Sequence, residues 1–136
     1  MKFTIPIVPK AQERDRITAR GGFARSYKSK TQKLVEDKLL SLLMLHKPTE
    51  PMLRAVNLKV KVYLSIPKSK SRKWRLMALQ GIIRPTTKPD CSNIIKNLED
   101  VMNEVFFHDD RQIVDLSISK YYGDIPHWEI ELEEIF

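Results

Sequence analysis

The chain has 136 residues, 24 Lys and Arg against 17 Asp and Glu, a net charge of +7 and 42% hydrophobic residues. That length fits one domain around one core, and no apolar stretch approaches the length of a membrane span. Its first ten residues are too short and too interrupted by proline for a signal peptide, so a soluble, cytoplasmic protein is expected.

The lone cysteine, Cys91, excludes an internal disulfide and a thiol zinc cluster. With no evident base beside it, Cys91 reads as a packing residue rather than a nucleophile. The charge is unevenly spread: residues 1–99 hold 22 basic and seven acidic residues, residues 100–136 two basic and ten acidic. A basic part suits a phosphate backbone and an acidic part suits a cation.

In chain order, Phe3, Ile5 and Ile7 alternate with Lys2, Thr4 and Pro6, which predicts a first strand near a sheet edge. Residues 10–30 carry Arg14, Arg16, Arg20, Arg25 and Lys28 around the Gly21-Gly22 pair, and read as a mobile basic loop. As a DNA-contacting arm it would offer Phe23 and Tyr27 for stacking on unpaired bases; the bland alternative is a solvated linker. Ser29 or Thr31 then caps a helix with the stripe Leu34, Val35, Leu39, Leu42, Leu43 and Leu45, stopped by Pro48.

Val56, Leu58, Val60, Val62, Leu64 and Ile66 alternate with Asn57, Lys59, Lys61, Tyr63 and Ser65 in the clearest strand of the chain, over residues 52–66. Pro67 ends it. Lys68, Lys70, Arg72, Lys73 and Arg75 follow around Trp74, with Trp74, Leu76, Met77 and Leu79 as the inner face of a short helix and the charges left for phosphate.

Pro85 and Pro89 disfavour helix before Asp90, so Asp90 or Ser92 is the expected cap of the next one. Ile94, Ile95, Leu98, Val101, Met102 and Val105 recur at three and four and form its apolar face. Asn93, Lys96, Asn97, Asp100, Asn103 and Glu104 take the polar face, with Lys96 and Asp100 four apart.

Asp109 and Asp110 are expected to close this helix, at the end where the macrodipole is already negative. Their neutralisation requires either a divalent cation shared with Asp90, or basic neighbours such as Arg111 and Lys120. The bland reading makes Asp90 a cap and the acidic pair a solvated turn.

After it, residues 112–122 form a strand, Gly123-Asp124-Ile125-Pro126 turns the chain, and a last strand faces Trp128, Ile130 and Leu132 one way and His127, Glu129, Glu131 and Glu133 the other. These two strands are expected to pair as a hairpin. His46 and His127 read as element-end residues rather than ligands. The element order predicts an α+β fold, a mixed sheet packed by two main helices.

Lys88-Pro89-Asp90-Cys91-Ser92-Asn93-Ile94-Ile95-Lys96, then Asp100, Asp109-Asp110-Arg111-Gln112-Ile113-Val114 and Lys120-Tyr121 resembles the RusA-type Holliday-junction resolvases in both order and spacing. The pattern there is Lys-Pro-Asp-x-Asp-Asn with a Lys one turn on, an Asp on the next turn and a later Asp-Asp-x-Gln-Val-Val. The likeness covers about the last fifty residues closely and the rest in general layout.

It implies a homodimeric, Mg²⁺-dependent endodeoxyribonuclease of phage or prophage origin; Mn²⁺, which generally binds such sites more tightly, is the alternative cation. Its DNA partner is the four-way junction, cut by paired nicks in recombination and repair, with no small-molecule cofactor. The resemblance makes Asp90 and Asp110 metal ligands with Asp109 beside them, and Lys96 the group facing the scissile phosphate. Ser92, Asn93, Asp100 and Lys120 become the supporting residues, and Lys70, Arg72, Lys73 and Arg75 join the arm in binding DNA.

One position departs from the pattern. Ser92 stands where the family has its second, metal-holding Asp. The competing readings are a protein that binds branched DNA and cuts it weakly or not at all, and a basic RNA-associated domain with solvated acidic pairs.

Overall fold

The computed structural model describes the backbone of the chain apart from residues 11–15, 21–22 and 28, and the side chains outside residues 11–28. Its frame is a four-stranded mixed sheet in the order β1-β6-β4-β5. The strands are β1 (Lys2–Ile5), β4 (Ala55–Ser65), β5 (Ile113–Gly123) and β6 (His127–Ile135). β4 runs parallel to β5 and antiparallel to β6, and β1 is antiparallel to β6 at one edge, where the first strand was expected.

The period of two in β4 has its predicted consequence, for Val56, Leu58, Val60 and Val62 are all buried. Each contributes about 1.5–3 kcal/mol of hydrophobic burial. Trp128, Ile130 and Leu132 of β6 bury on the same side. On the opposite face, Lys59 stands across from Glu131 and Lys61 from Glu129. Opposite charges in such cross-strand positions stabilise the register by about 0.2–1 kcal/mol per pair.

This pairing overturns the expected terminal hairpin, because β4 lies between β5 and β6. Flanked by β4 and β1, the acidic strand meets Lys59 and Lys61 on one side and Lys2, which faces Glu131, on the other. At the far edge β5 keeps less apolar cover, and its Val114 and Leu116 are exposed.

Among the described residues three α-helices accompany the sheet, the two main ones expected and the short one expected around Trp74. The first, α1 (Lys30–Leu43), is capped by Ser29, whose Oγ accepts from Gln32 N at 3.0 Å. It buries Leu39 and Leu43, but Leu34 and Leu45 are exposed: Leu34 lies off the contact face, and Leu45 falls in a 3-10 turn after the helix ends. The second, α2 (Arg72–Leu79), is capped by Ser71 and docks on β5. Of its proposed inner face, Leu76 and Leu79 are exposed; Ala78 is the residue buried, and Trp74 meets the ring of Tyr122 edge-on.

The third, α3 (Cys91–Met102), begins at Asp90 and buries Ile94, Ile95, Leu98, Val101 and Met102. Asn97 is also fully buried, against its expected place on the polar face. It is held by partners far away in sequence, accepting from Gln32 Nε2 at 3.3 Å and donating to Lys10 O at 3.4 Å. A buried amide is tolerated when it is hydrogen-bonded in this way.

The stretch read as a basic loop contains a two-stranded antiparallel ribbon, β2 (Arg16–Arg20) and β3 (Phe23–Tyr27), with Ile17 opposite Ser26 and Ala19 opposite Ala24. Arg14 and Lys28 lie outside the described residues, as do the side chains of Arg16, Arg20, Arg25, Phe23 and Tyr27.

Candidate active site

Asp90 occupies the N-cap position of α3 with extended backbone, yet its side chain makes no capping hydrogen bond. Ser29, Ser71 and Asp109 all spend a side-chain oxygen on the backbone of the turn that follows them. The Asp90 carboxylate is left exposed, at a helix end whose dipole favours negative charge. Ser92, Asn93 and Lys96 are exposed along the next turn and a half of the same helix.

The approach to Asp90 is held from β5. Lys120 Nζ donates to Thr87 O at 2.8 Å and to Pro89 O at 3.0 Å. The ammonium is therefore committed to two carbonyls of the connecting segment, and it fixes where the helix starts. The Lys88–Pro89 peptide between those carbonyls is cis.

The acidic pair sits elsewhere than expected. The helix ends at Met102, and Glu104 after it takes a left-handed conformation with φ of 67°. Asp109 then caps a 3-10 turn over Asp110–Gln112, at the start of a helical turn and not at a helix end. Asp109 Oδ1 accepts from Arg111 N at 2.9 Å, while Asp109 N donates to Gln112 Oε1 at 2.9 Å, a reciprocal capping box. Gln112 Nε2 also donates to Met52 O at 2.8 Å and Arg54 O at 3.0 Å, which ties the turn to the segment entering β4.

The two aspartates differ electrostatically as a result. The Arg111 backbone bond, chiefly, holds the Asp109 carboxyl below the usual range, and the Arg111 Nε at 3.1 Å adds to it. The Asp110 carboxyl is pushed up, first by its hydrogen bond with Asp109, then by burial and by the charges of Asp109 and Asp100, which outweigh Arg111. Glu99 is pushed up by burial, then by Asp110 and Asp100. Asp110, Asp109, Asp100 and Glu99 thus form one field of negative charge between α3 and the turn.

Of the two neutralising routes open to the acidic pair, Arg111 supplies one for Asp109, and Lys120 is engaged elsewhere. Asp110 is left with like-charged neighbours, a setting a cation relieves. Among the described residues no three His, Cys, Asp or Glu side chains stand close enough to form a metal site by themselves. Mg²⁺ does not need such a set, since it keeps several waters and takes one or two carboxylates together with substrate phosphates. Asp90 and Asp110 each offer a carboxylate of that kind, though Asp90 is not among the charges that act on Asp110.

The model for the family described as endodeoxyribonuclease RusA matches residues 6–133. The chain belongs to the RusA family. Its relatives include the uncharacterised protein YqaN of Bacillus subtilis strain 168, 35% identical over 99% of this chain and 96% of that one. The crossover junction endodeoxyribonuclease RusA of Lactococcus phage r1t is 34% identical over 71% of this chain and 70% of its own. The α+β fold with a mixed sheet agrees with the RusA assignment, and no helix among the described residues is long and apolar enough to cross a membrane.

Three residues around the candidate site were not singled out from the sequence. Gln112 carried a signal, standing three after Asp109 as the capping-box pattern requires. Glu99 gave none, since its neighbour Asp110 comes from another element. Arg84, whose Nε donates to Lys120 O at 2.6 Å, sits in a connecting segment with no periodicity to place it.

Proposed function

We propose that this protein is a structure-selective endodeoxyribonuclease that resolves four-way DNA junctions by paired nicks and requires Mg²⁺. The observation that carries the reading is Asp90: a helix N-cap whose carboxylate is withheld from capping, at the family's Asp position. Family membership, and a phage relative named as a crossover junction endodeoxyribonuclease, support the reaction class. A homodimer fits it too, since two symmetric strands must be cut on a two-fold substrate.

Asp90 and Asp110 would hold the cation, with Asp109 shaping the turn beside it. When bound, such an ion offsets phosphate charge and lowers the pKa of a coordinated water. Lys96 carries its ammonium on the exposed side of α3 and would face the scissile phosphate, offsetting charge that develops on its oxygens. Lys120 keeps the start of α3 in place during the reaction. Water adds to phosphorus as the bond to the 3′ oxygen breaks, leaving a 5′-phosphate and a 3′-hydroxyl.

A binding module with weak or no cleavage is the competing reading, and Ser92 favours it because it brings no charge to a position where the family has a carboxylate. Incubation with labelled four-way junction and linear duplex, in Mg²⁺, Mn²⁺ or EDTA, separates the two. Symmetric metal-dependent nicks on the junction establish the nuclease. Shifted bands without nicks establish the binding module and refute it.

A further inference from the structure

At the end of β5, four flat groups lie one on another across the strands. His127 of β6 stacks on Tyr63 of β4 at 4.3 Å between centroids, and Tyr63 stacks on Tyr121 of β5 at 5.4 Å. The Arg84 guanidinium covers the outer face of the series, its carbon 3.9 Å from the Tyr121 ring centre. Glu129 fixes the middle of the stack, for burial and a hydrogen bond to Glu129 push the Tyr63 hydroxyl up to about 12.

Arg84 is therefore held at two points, by the Tyr121 ring and by its Nε bond to Lys120 O, yet it is solvent-exposed. Among the described residues no carboxylate pairs with it, and Nε makes its one side-chain hydrogen bond. A guanidinium has five N–H donors in a rigid fork that matches phosphate. One donor is spent on fixing the pose, and the outward edge of the fork remains. A cation already locked in one orientation loses little side-chain entropy on binding.

Its place also points to a ligand. Lys120 accepts from Arg84 through its carbonyl and holds Pro89 O through its Nζ, so one residue links the Arg84 fork to the segment that delivers Asp90. Lys61 lies 6.0 Å from the Tyr121 ring centre, and Lys70 lies 4.8 Å from that of Trp74, whose edge meets Tyr122. The end of β5 thus presents cations on both sides.

We infer that Arg84 is a DNA-positioning residue, whose outer guanidinium edge grips a phosphodiester of the strand passing Asp90 while Tyr121 holds the guanidinium in register. This rests on the reading of the protein as a junction-binding nuclease. A purely structural Arg84 would fasten residues 80–90 to β5 and touch no DNA.

Binding of a labelled four-way junction in EDTA, across a salt series, tests the assignment without any cleavage. Arg84→Gln should bind about tenfold more weakly at low salt. Its plot of log affinity against log salt should be shallower by about 0.9, the release of counterion from one phosphate. Tyr121→Leu keeps the charge and removes the platform, so affinity should fall with the slope unchanged. Arg84→Lys covers the case in which Arg84→Gln does not fold: the slope should stay and affinity should still fall, because the fork is lost.

Wild-type affinity and slope in Arg84→Gln, or wild-type affinity in Arg84→Lys, would overturn the assignment whatever the melting temperatures. Wild-type protein that binds no DNA sinks both the assignment and the proposed function. A changed slope in Arg84→Gln, in a protein that never nicks in Mg²⁺, leaves Arg84 as a DNA contact and removes only the nuclease.

Discussion

Lys120 Nζ donates to the carbonyl oxygen of Pro89 at 3.0 Å, immediately before Asp90, so the position of a candidate metal ligand on one element is set by a side chain from another. The same ammonium reaches Thr87 O at 2.8 Å. Lys120→Met keeps the stem and removes both bonds. The loss should cost about 1.5–3 kcal/mol, the range for hydrogen bonds involving a charged group, and lower the melting temperature by several degrees. Because small misplacements at a reacting centre are costly, single-turnover nicking should fall by about 10- to 100-fold while junction affinity in EDTA stays within about threefold. Equal losses in affinity and nicking would make Lys120 a DNA contact instead.

Asp110 and Asp109 are neighbours with different duties, the second committed to the turn and the first surrounded by like charge. Asp110→Asn should abolish nicking, and junction binding should stay level or tighten because a negative charge near a polyanion is gone. In EDTA its melting temperature should hold or rise, since repulsion with Asp109 and Asp100 is relieved. Asp115→Asn is the control, an exposed residue beside Asn57 on the open sheet face, and should do little. A loss of nicking in both variants misplaces the acidic site. A lost melting transition in Asp110→Asn makes the pair structural.

Glu99 gives the site a pH signature. Burial first, then Asp110 and Asp100, raise its carboxyl, so the folded protein binds this proton more tightly than the unfolded chain does. The associated stability is fully present below the unfolded value and is lost as pH rises through the raised folded value. At neutral pH the ionised Glu99 is thus a net cost. Glu99→Gln should melt higher than wild type at pH 7, and the difference should shrink as pH falls toward the ordinary carboxyl range. Melting curves in EDTA between about pH 4 and 7 read this directly. A difference that does not change with pH would place Glu99 outside the acidic field.

What the sequence disclosed and what it hid divide along the range of the interactions. β4 and α3 were legible because period two and period three-to-four are local signals, and Pro85 and Pro89 punctuate the second. Asn97 was not, because what satisfies it lies on α1, 65 residues away, and no local pattern distinguishes a buried amide from a solvated one. The separation of β5 from β6 was likewise hidden, because it rests on β4 lying between them, with its Lys59 and Lys61 across from Glu131 and Glu129. The basic ribbon had a cue, a Gly-Gly pair between two five-residue runs, but the density of Arg obscured the alternation around it. In the site, the family pattern identified Asp90, Asp110 and Lys96 as candidates, while Gln112, Glu99 and Arg84 matter through contacts from other elements.

Ser92 is exposed on the first turn of α3, two residues after Asp90, where the family has a carboxylate and this chain has a hydroxyl. With fewer anionic ligands the site should hold Mg²⁺ weakly, and Mn²⁺, above Mg²⁺ in affinity for mixed sites of this kind, should be the better activator. Ser92→Asp should lower the Mg²⁺ concentration for half-maximal nicking about tenfold, equivalent to about 1.4 kcal/mol. Without metal the new carboxylate feels two opposed effects. It is repelled by Asp90, and it is favoured by the positive end of α3 by about 0.3–1 kcal/mol. The melting temperature in EDTA should therefore move little, and the stabilisation by Mg²⁺ should grow because the metal binds the folded state alone. A metal titration of wild type and Ser92→Asp on one junction, with melting curves with and without Mg²⁺, reads both quantities. If neither the half-maximal concentration nor the Mg²⁺-dependent melting shift responds, position 92 does not face the ion, and the ligand set begins and ends with Asp90 and Asp110.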